Sequence, residues 1–149
     1  LLHALGGYNP LSSRRCLANS CMLSSDVSAG FDPSYRSCFE LKNAAWMGAG
    51  MVFNKFTGAR GKSGSNDANA EYMAHLRKIM DEGGITYQTA ELGKVDVGGG
   101  GTVAKYIAKH NIETVDLGVP VISMHAPYEI ISKTDLYTAH QAFEAFFRA

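Results

Sequence analysis

The sequence predicts an α/β domain, and three observations support this fold class. A length of 149 residues is typical of one domain with one sizeable core. Apolar residues make up 46% of the chain and charged residues 19%, which is the composition of an ordinary folded protein. Apolar runs alternate with amphipathic stretches, separated by turns rich in Gly, Asn or Ser. We therefore expect residues 1–149 to form one unit, without repeats or linkers.

Short apolar runs with polar or glycine flanks predict the strands of this domain. The first two are typical of buried strands, since hydrophobicity is nearly continuous along them. Three more candidates follow in the second half of the chain. The predicted strands span residues 16–24, 50–56, 85–89, 113–117 and 121–124.

The clearest helical pattern in the middle of the chain spans residues 66–82. Met73, Leu76 and Met80 recur there at helical spacing. Ser65 or Asn66 can cap the first turn, and the glycines at 83–84 can end the helix.

Two more helices are expected, a short one over residues 102–109 and a long one at the end of the chain. Ser132 precedes Asp135 by three residues, which is a capping-box-like start for the long helix. Leu136, Ala139, Phe143 and Phe147 then mark one helical face, which we expect to be core.

Charge and hydropathy argue against two classes of partner. Fourteen basic residues balance fourteen acidic ones, so the chain lacks the net positive charge typical of nucleic-acid binding. The longest apolar stretches, such as residues 119–124, are much shorter than the ~20 residues of a membrane span. We expect neither nucleic acid nor membrane as a partner.

Cysteine usage favours a reducing compartment. Cys16, Cys21 and Cys38 are odd in number and show no Cys-x-x-Cys spacing, so neither a disulfide framework nor a thiolate zinc site is indicated. Residues 1–10 lack an initiator Met and any signal-type segment, which suggests that more chain once preceded them. We expect a cytoplasmic protein.

Two polar residues follow predicted strands, where α/β enzymes place their ligands. Asp26 follows one apolar run and His125 follows another, and carboxylate and imidazole are suitable zinc ligands. Strand-end Asp residues more often cap turns, however, and an isolated His is usually a hydrogen-bonded core residue. For His75, His110 and His140, we expect surface or packing roles.

Two glycine-containing segments suggest anion binding. The run Gly98–Gly101 precedes the short predicted helix, whose backbone N–H groups could hold a negative charge. Residues 58–63 resemble part of a P-loop, but Phe56 stands where the motif needs its first glycine. A flexible polar loop is the favoured interpretation of this second segment. The Gly-x-Ser-x-Gly elbow of serine hydrolases is not present.

Four ordered segments together resemble a known family. They read SSDVSAGFDP (24–33), KFTGARGKSGSNDA (55–68), GGGGT (98–102) and SMHAPYE (123–129). From about Leu17 onward, the chain resembles the aspartyl aminopeptidase and aminopeptidase I family of zinc metallopeptidases. Ala29 and Asp32 stand where the eukaryotic aspartyl branch has histidines, so the resemblance is to the bacterial branch, and strict preference for N-terminal Asp or Glu is not expected.

The resemblance implies a fold and a set of site residues. The fold would be the C-terminal part of a catalytic domain, with a three-layer mixed sheet flanked by helices. Asp26 and His125 would be metal ligands, and Glu129 a partner supporting the histidine. Lys55, Gly99 and Gly100 would lie near the substrate. The other ligands and the general base would precede Leu1, so the resemblance implies no catalytic residue within this chain.

These implications give a leading hypothesis for function. The chain would be part of a two-zinc aminopeptidase that removes N-terminal amino acids from peptides. Its partners would be the peptide substrate, the remaining N-terminal portion of the enzyme, and further copies in a homo-oligomer such as a dodecamer. One alternative is a non-catalytic assembly module that retains the fold, and another is phosphate or nucleotide binding.

Overall fold

A computed structural model describes residues 2–6, 9–59, 63–94, 97 and 99–149. The helices are α1 (Leu2–Gly6), α2 (Ser12–Ala18), α3 (Ala70–Glu82), α4 (Ala104–Ala108) and α5 (Lys133–Arg148), with a 3-10 segment at Pro33–Cys38. The strands are β1 (Cys21–Ser25), β2 (Ser28–Ala29), β3 (Met51–Asn54), β4 (Phe56–Ala59), β5 (Ser63–Asp67), β6 (Tyr87–Thr89), β7 (Gly99–Gly100), β8 (Glu113–Gly118), β9 (Pro120–Ile122) and β10 (Ile130–Ile131).

The main sheet has the strand order β1-β8-β3-β6 and is mixed. β8 pairs in parallel with β1 and antiparallel with β3, and β3 pairs in parallel with β6. Two smaller sheets, β10-β9-β2 and β5-β4-β7, extend from this one. Because β8 and β3 lie inside the main sheet, their side chains are almost all buried, as expected for strands covered on both faces.

The core lies between the main sheet and helices α3 and α5. Met51 and Phe53 from β3 meet Leu76 and Met80 from α3, and all four are fully buried. Burial of each such side chain stabilises the fold by roughly 1.5–3 kcal/mol. Val52 belongs to a separate small cluster, since alternate residues of a strand face opposite sides of the sheet. No helix among the described residues is long and apolar enough to cross a membrane.

The first predicted strand, residues 16–24, is wrong in its first half. Cys16 and Leu17 belong to α2, and β1 begins only at Cys21. The helix buries none of its seven residues, so it has no apolar face that the sequence could reveal. The predicted strand at 121–124 also ends early, because Ser123 and His125 adopt positive φ angles that an extended strand does not allow.

The helix predicted over 66–82 starts later than expected. Residues 66 and 67 pair with β4 as the end of β5, so neither Ser65 nor Asn66 caps the helix. Asn69 does so, because its side chain accepts a hydrogen bond from the backbone N–H of Tyr72 over 2.7 Å. The predicted core positions Met73, Leu76 and Met80 are all buried, so the helical periodicity is confirmed.

The terminal helix is confirmed, and its predicted face is confirmed in part, since Ala139 is buried and Phe143 packs against the core. Ser132 caps α5 as expected, whereas Leu136 and Phe147 are exposed. The buried face consists of Asp135, Thr138, Ala139 and Ala142. Small and polar side chains occupy it because the helix lies close to the backbone at residues 48–51 and hydrogen bonds to it.

Candidate metal site

A cleft of about 450 Å³ lies beyond the carboxyl end of β1 and the end of β9. Asp26 and His125, the two ligands expected from the sequence, both line it. Gly99, Gly100 and Thr102 line it as well. The structure thus brings into one cleft residues that are far apart in the sequence.

Asp26 is held by the main chain of the neighbouring strand. Its backbone N–H donates to Leu117 O on β8 over 3.2 Å. Its carboxylate oxygen Oδ1 accepts from the backbone N–H of Val27 over 2.7 Å. The chain passes so close to β8 that a Cβ placed on Gly118 would lie 1.6 Å from the backbone oxygen of Asp26. A glycine at 118 is therefore a requirement for the observed position of Asp26.

His125 lies in a tight turn after β9. Its φ is 68° and that of Ser123 is 62°, both in the left-handed region that residues with a Cβ rarely adopt. The backbone N–H of Ala126 donates to Ser123 O over 3.0 Å and closes the turn. Such strained backbone is concentrated at functional sites, where surrounding contacts maintain it.

Glu129 contacts His125, as the sequence suggested, but through the main chain. Its Oε1 accepts a hydrogen bond from the backbone N–H of His125 over 2.5 Å. This bond fixes the turn that carries the histidine. The hydrogen bond between these two residues thus involves the His125 main chain and not its imidazole.

Within the glycine run, Gly99 and Gly100 form strand β7, and the expected short helix begins only at Ala104. Gly99 and Gly100 pair with Ala59 and Gly58 of β4. Gly99 has a φ of +93°, and a Cβ there would lie 2.4 Å from Gly58 O, so close approach of two backbones requires this glycine. Gly98 lies outside the described residues.

At its described positions, the P-loop-like segment lies in a different environment from that of a P-loop. Residues 58–59 and 63 belong to the antiparallel strands β4 and β5, whereas a P-loop joins a strand to a helix. The favoured flexible loop is also wrong for these three positions, and residues 60–62 lie outside the described residues. α4, which follows the glycine run, has only five residues and no side-chain cap.

Lys55 lies elsewhere. It lines a second cavity, of about 460 Å³, together with Phe56, Met73 and Arg77. Its ammonium group forms an ion pair with Asp67. The described residues therefore do not place Lys55 on the wall of the cleft.

Asp116 was not identified from the sequence, although it lies next to the cleft. It is 3% exposed in the middle of β8. Its Oδ2 accepts hydrogen bonds from Thr102 over 2.7 Å and from Thr57 over 3.3 Å. Burial raises the pKa of this carboxyl group, the nearby hydroxyl groups of Thr102, Ser24 and Thr57 oppose the rise, and the charge of Asp26 adds to it. The sequence feature that could have identified Asp116 is an acidic residue inside an otherwise apolar run.

The remaining candidates lie outside this arrangement. His75, His110 and His140 are exposed, in agreement with a surface role. Cys38 lines the cleft, and all three cysteines are free and exposed. Within the part of the chain that the structure describes, no three His, Cys, Asp or Glu residues are grouped closely enough to hold a metal ion.

The chain is an α/β protein with a mixed main sheet. A carboxylate after β1 and an imidazole after β9 line one cleft, and strand ends are where open α/β sheets commonly bind their ligands. Residues 3–147 match the family described as aminopeptidase I zinc metalloprotease (M18). The chain belongs to this family.

The relatives agree with the family match in sequence and in structure. A probable M18 family aminopeptidase 1 from Clostridium acetobutylicum is 52% identical over 98% of this chain and 31% of its own length. The crystal structure of aminopeptidase I from the same organism has a TM-score of 0.86 at 54% identity, over 91% of this chain and 30% of that one. An M18 aminopeptidase structure from Thermotoga maritima has the same TM-score at 43% identity, over 89% of this chain and 30% of that one.

Two consequences follow from these comparisons. The predicted mixed α/β fold is confirmed by structures of the same family. The chain spans about a third of the length of the curated relatives that it matches. Activity, substrate and assembly of a whole protein are therefore matters for proposal.

Proposed function

We propose that this chain is the C-terminal portion of the catalytic domain of a zinc aminopeptidase, which hydrolyses N-terminal amino acids from peptides. The observation that carries this proposal is that Asp26 and His125 line one cleft. Membership of a zinc metalloprotease family supports it.

The donor atoms in the cleft fit zinc. A carboxylate oxygen and an imidazole nitrogen are ordinary zinc ligands, and zinc in proteins is usually four-coordinate. Asp26 and His125 would supply two of the ligands of a two-zinc centre, and both side chains are exposed to the cleft. Bound zinc would polarise the scissile carbonyl and lower the pKa of a water molecule. The other ligands and the general base would come from residues outside this chain.

The chain's own residues would fix the position of the ligands and the substrate. The bond from the His125 N–H to Glu129 holds the turn that carries the imidazole. The backbones of Gly99 and Gly100 lie beside the cleft without side chains, which leaves room for a peptide. Lys55 would reach the substrate only from its separate cavity. We therefore propose that it contributes less to substrate binding than Gly99 and Gly100 do.

The test uses a longer aminopeptidase chain that contains these residues. Asp26→Ala and His125→Ala should each lower bound zinc, measured by atomic emission, and peptide hydrolysis, because each removes one metal ligand. His140→Ala is the matched control, since His140 is exposed on α5. Unchanged zinc and activity in both ligand variants would remove these residues from the site. A parent protein that binds no zinc and hydrolyses no peptide would favour the alternative of a non-catalytic assembly module.

We also propose that the assembled protein is a cytoplasmic homo-oligomer in which the N-terminal portion of the enzyme covers part of this chain. Strands β1 and β6 are the edges of the main sheet within the described residues. Edge strands and exposed apolar side chains are both typical of surfaces that are covered in an assembly. The dodecamer implied by the family resemblance stays a prediction.

A further inference from the structure

A row of buried polar side chains crosses the main sheet beneath the cleft. Ser24 on β1 and Asn54 on β3 are both register partners of Asp116 on β8. All three residues are at most 4% exposed. Polar groups are costly in such a position unless they form hydrogen bonds, so a row of them in the core of a sheet indicates a specific use.

Asp116 connects this row to two segments outside the main sheet. Its Oδ2 accepts hydrogen bonds from Thr57, on β4, and from Thr102, directly after the glycine run. The hydroxyl oxygens of these two threonines are themselves 3.4 Å apart. A single carboxylate oxygen therefore holds together three parts of the chain.

Thr102 links this cluster to the cleft. It lines the cleft together with Gly99 and Gly100, which have no side chains to fix their position. The Thr102 hydroxyl is hydrogen-bonded over 2.7 Å to a carboxylate in the middle of β8. Hydrogen bonds to charged groups are stronger than neutral ones, so this bond is a suitable anchor for the glycine segment.

We propose that Asp116 is a positioning residue, which acts through Thr102 and Thr57 to hold the glycine segment at 99–102 as one wall of the cleft. The inference rests on the proposed function, because that wall is where the peptide would lie. Asp116 would not touch the substrate. It would fix the position of the backbone at residues 99–102, which would touch the substrate.

The test is made in the longer aminopeptidase chain with variants of Thr102. Thr102→Val keeps the shape of the side chain and removes its hydroxyl, so kcat/KM should fall by roughly tenfold. Most of the loss should be in KM, with bound zinc unchanged. Thr102→Ser restores the hydroxyl and should return kcat/KM to within about twofold of the parent value.

The matched control is Thr114→Val, which removes a buried hydroxyl from the same strand as Asp116. Thr114 donates to Ile112 O and not to Asp116. Its substitution should leave KM unchanged even if it lowers the melting temperature. Asp116→Asn combined with Thr102→Val should be little worse than the more impaired single variant, because both act on one interaction.

Amide hydrogen exchange gives a second result that does not depend on activity. Exchange at residues 99–102 should be faster in Thr102→Val than in the parent, with no such change in Thr114→Val. Equal exchange and equal KM in both valine variants would overturn the proposal, as would a Thr102→Ser variant as impaired as Thr102→Val. An inactive, zinc-free parent would instead refute the proposed function, and the exchange result would still decide the role of Asp116.

Discussion

The position of Asp26 depends on a residue that has no side chain. Gly118 faces the backbone oxygen of Asp26 so closely that an added Cβ would lie 1.6 Å away. Two groups cannot occupy that space, so the chain at Asp26 would have to move away from β8. The carboxylate that we propose as a zinc ligand would move with it.

Gly118→Ala should therefore lower bound zinc and destabilise the protein by about 1–3 kcal/mol, the usual cost of forcing atoms into a packed site. Zinc content and urea unfolding measure the two effects. Gly6→Ala is the control, because a Cβ on Gly6 has no neighbour within 4 Å. Parent-like zinc content in Gly118→Ala would mean that the main chain at Asp26 adapts without moving the ligand.

Strand ends indicated two polar residues that the structure brings into one cleft, and their role as metal ligands stays a prediction. Asp26 and His125 each follow an apolar run, and ligands in α/β sheets collect beyond such ends. Asp116 was not identified because it lies within a run, and its threonine partners at 57 and 102 are distant in sequence. Nothing in the local pattern shows that three separate segments meet at one carboxylate.

At the scale of elements, helix α5 is attached to the sheet by a carboxylate at its first turn. Asp135 is fully buried, and its Oδ2 and Oδ1 accept hydrogen bonds from the backbone N–H groups of Gly48 over 2.7 Å and Gly50 over 2.9 Å. In a capping box, this carboxylate would accept a hydrogen bond from the backbone N–H of Ser132. Here it fixes the turn that leads into β3.

Asp135→Ala should destabilise the protein by roughly 3 kcal/mol, because the buried N–H of Gly50 and the partly buried N–H of Gly48 both lose a charged partner. Asp81→Ala is the control, since Asp81 is exposed near the end of α3, and its loss should change stability by less than about 0.5 kcal/mol. Urea unfolding of the two variants and the parent gives the comparison. If the free energy of unfolding falls no further in Asp135→Ala than the small amount expected for Asp81→Ala, the buried carboxylate adds nothing to stability.

The helices also show which element boundaries a sequence can reveal. The interior of α3 was predictable because Met73, Leu76 and Met80 repeat with the period of a helix. Its start was not, since several consecutive Ser, Asn and Asp residues could each cap a helix. The pairing of β5 with β4 decides between them by keeping residues 66–67 extended. That pairing is non-local, and so it leaves no local signal.

For the whole molecule, the alternation of apolar and amphipathic stretches predicted an α/β domain, and the family resemblance implied a mixed sheet. Strand ends and the resemblance together predicted that Asp26 and His125 meet. The four segments that carry the resemblance contribute to the cleft or to the strands beside it, although they are spread over residues 24–129. Spacing along a sequence does not encode such convergence. The two expected ligands reached the same cleft, whereas Lys55 did not.

Large apolar side chains remain on the surface of the described chain. Tyr128 is 84% exposed and Phe147 82%, and Ile130 and Leu136 are each more than half exposed. They lie on β10, on α5 and on the segment before β10. Exposed apolar groups of this size are typical of protein–protein contacts, and within the described residues β1 and β6 are the edge strands of the main sheet.

We therefore expect the isolated 149-residue chain to self-associate in solution. Light scattering should give a mass above that of one chain, rising with protein concentration, because burial of apolar surface yields roughly 25 cal/mol per Å². Phe147→Asp combined with Leu136→Asp should reduce the association, since both side chains are exposed on α5 and a charge there opposes burial. His75→Asp, on an exposed position of α3, is the control and should leave the mass unchanged. A monodisperse monomer at all concentrations would show that these side chains stay exposed to solvent without driving association. Assembly through this surface would then be refuted.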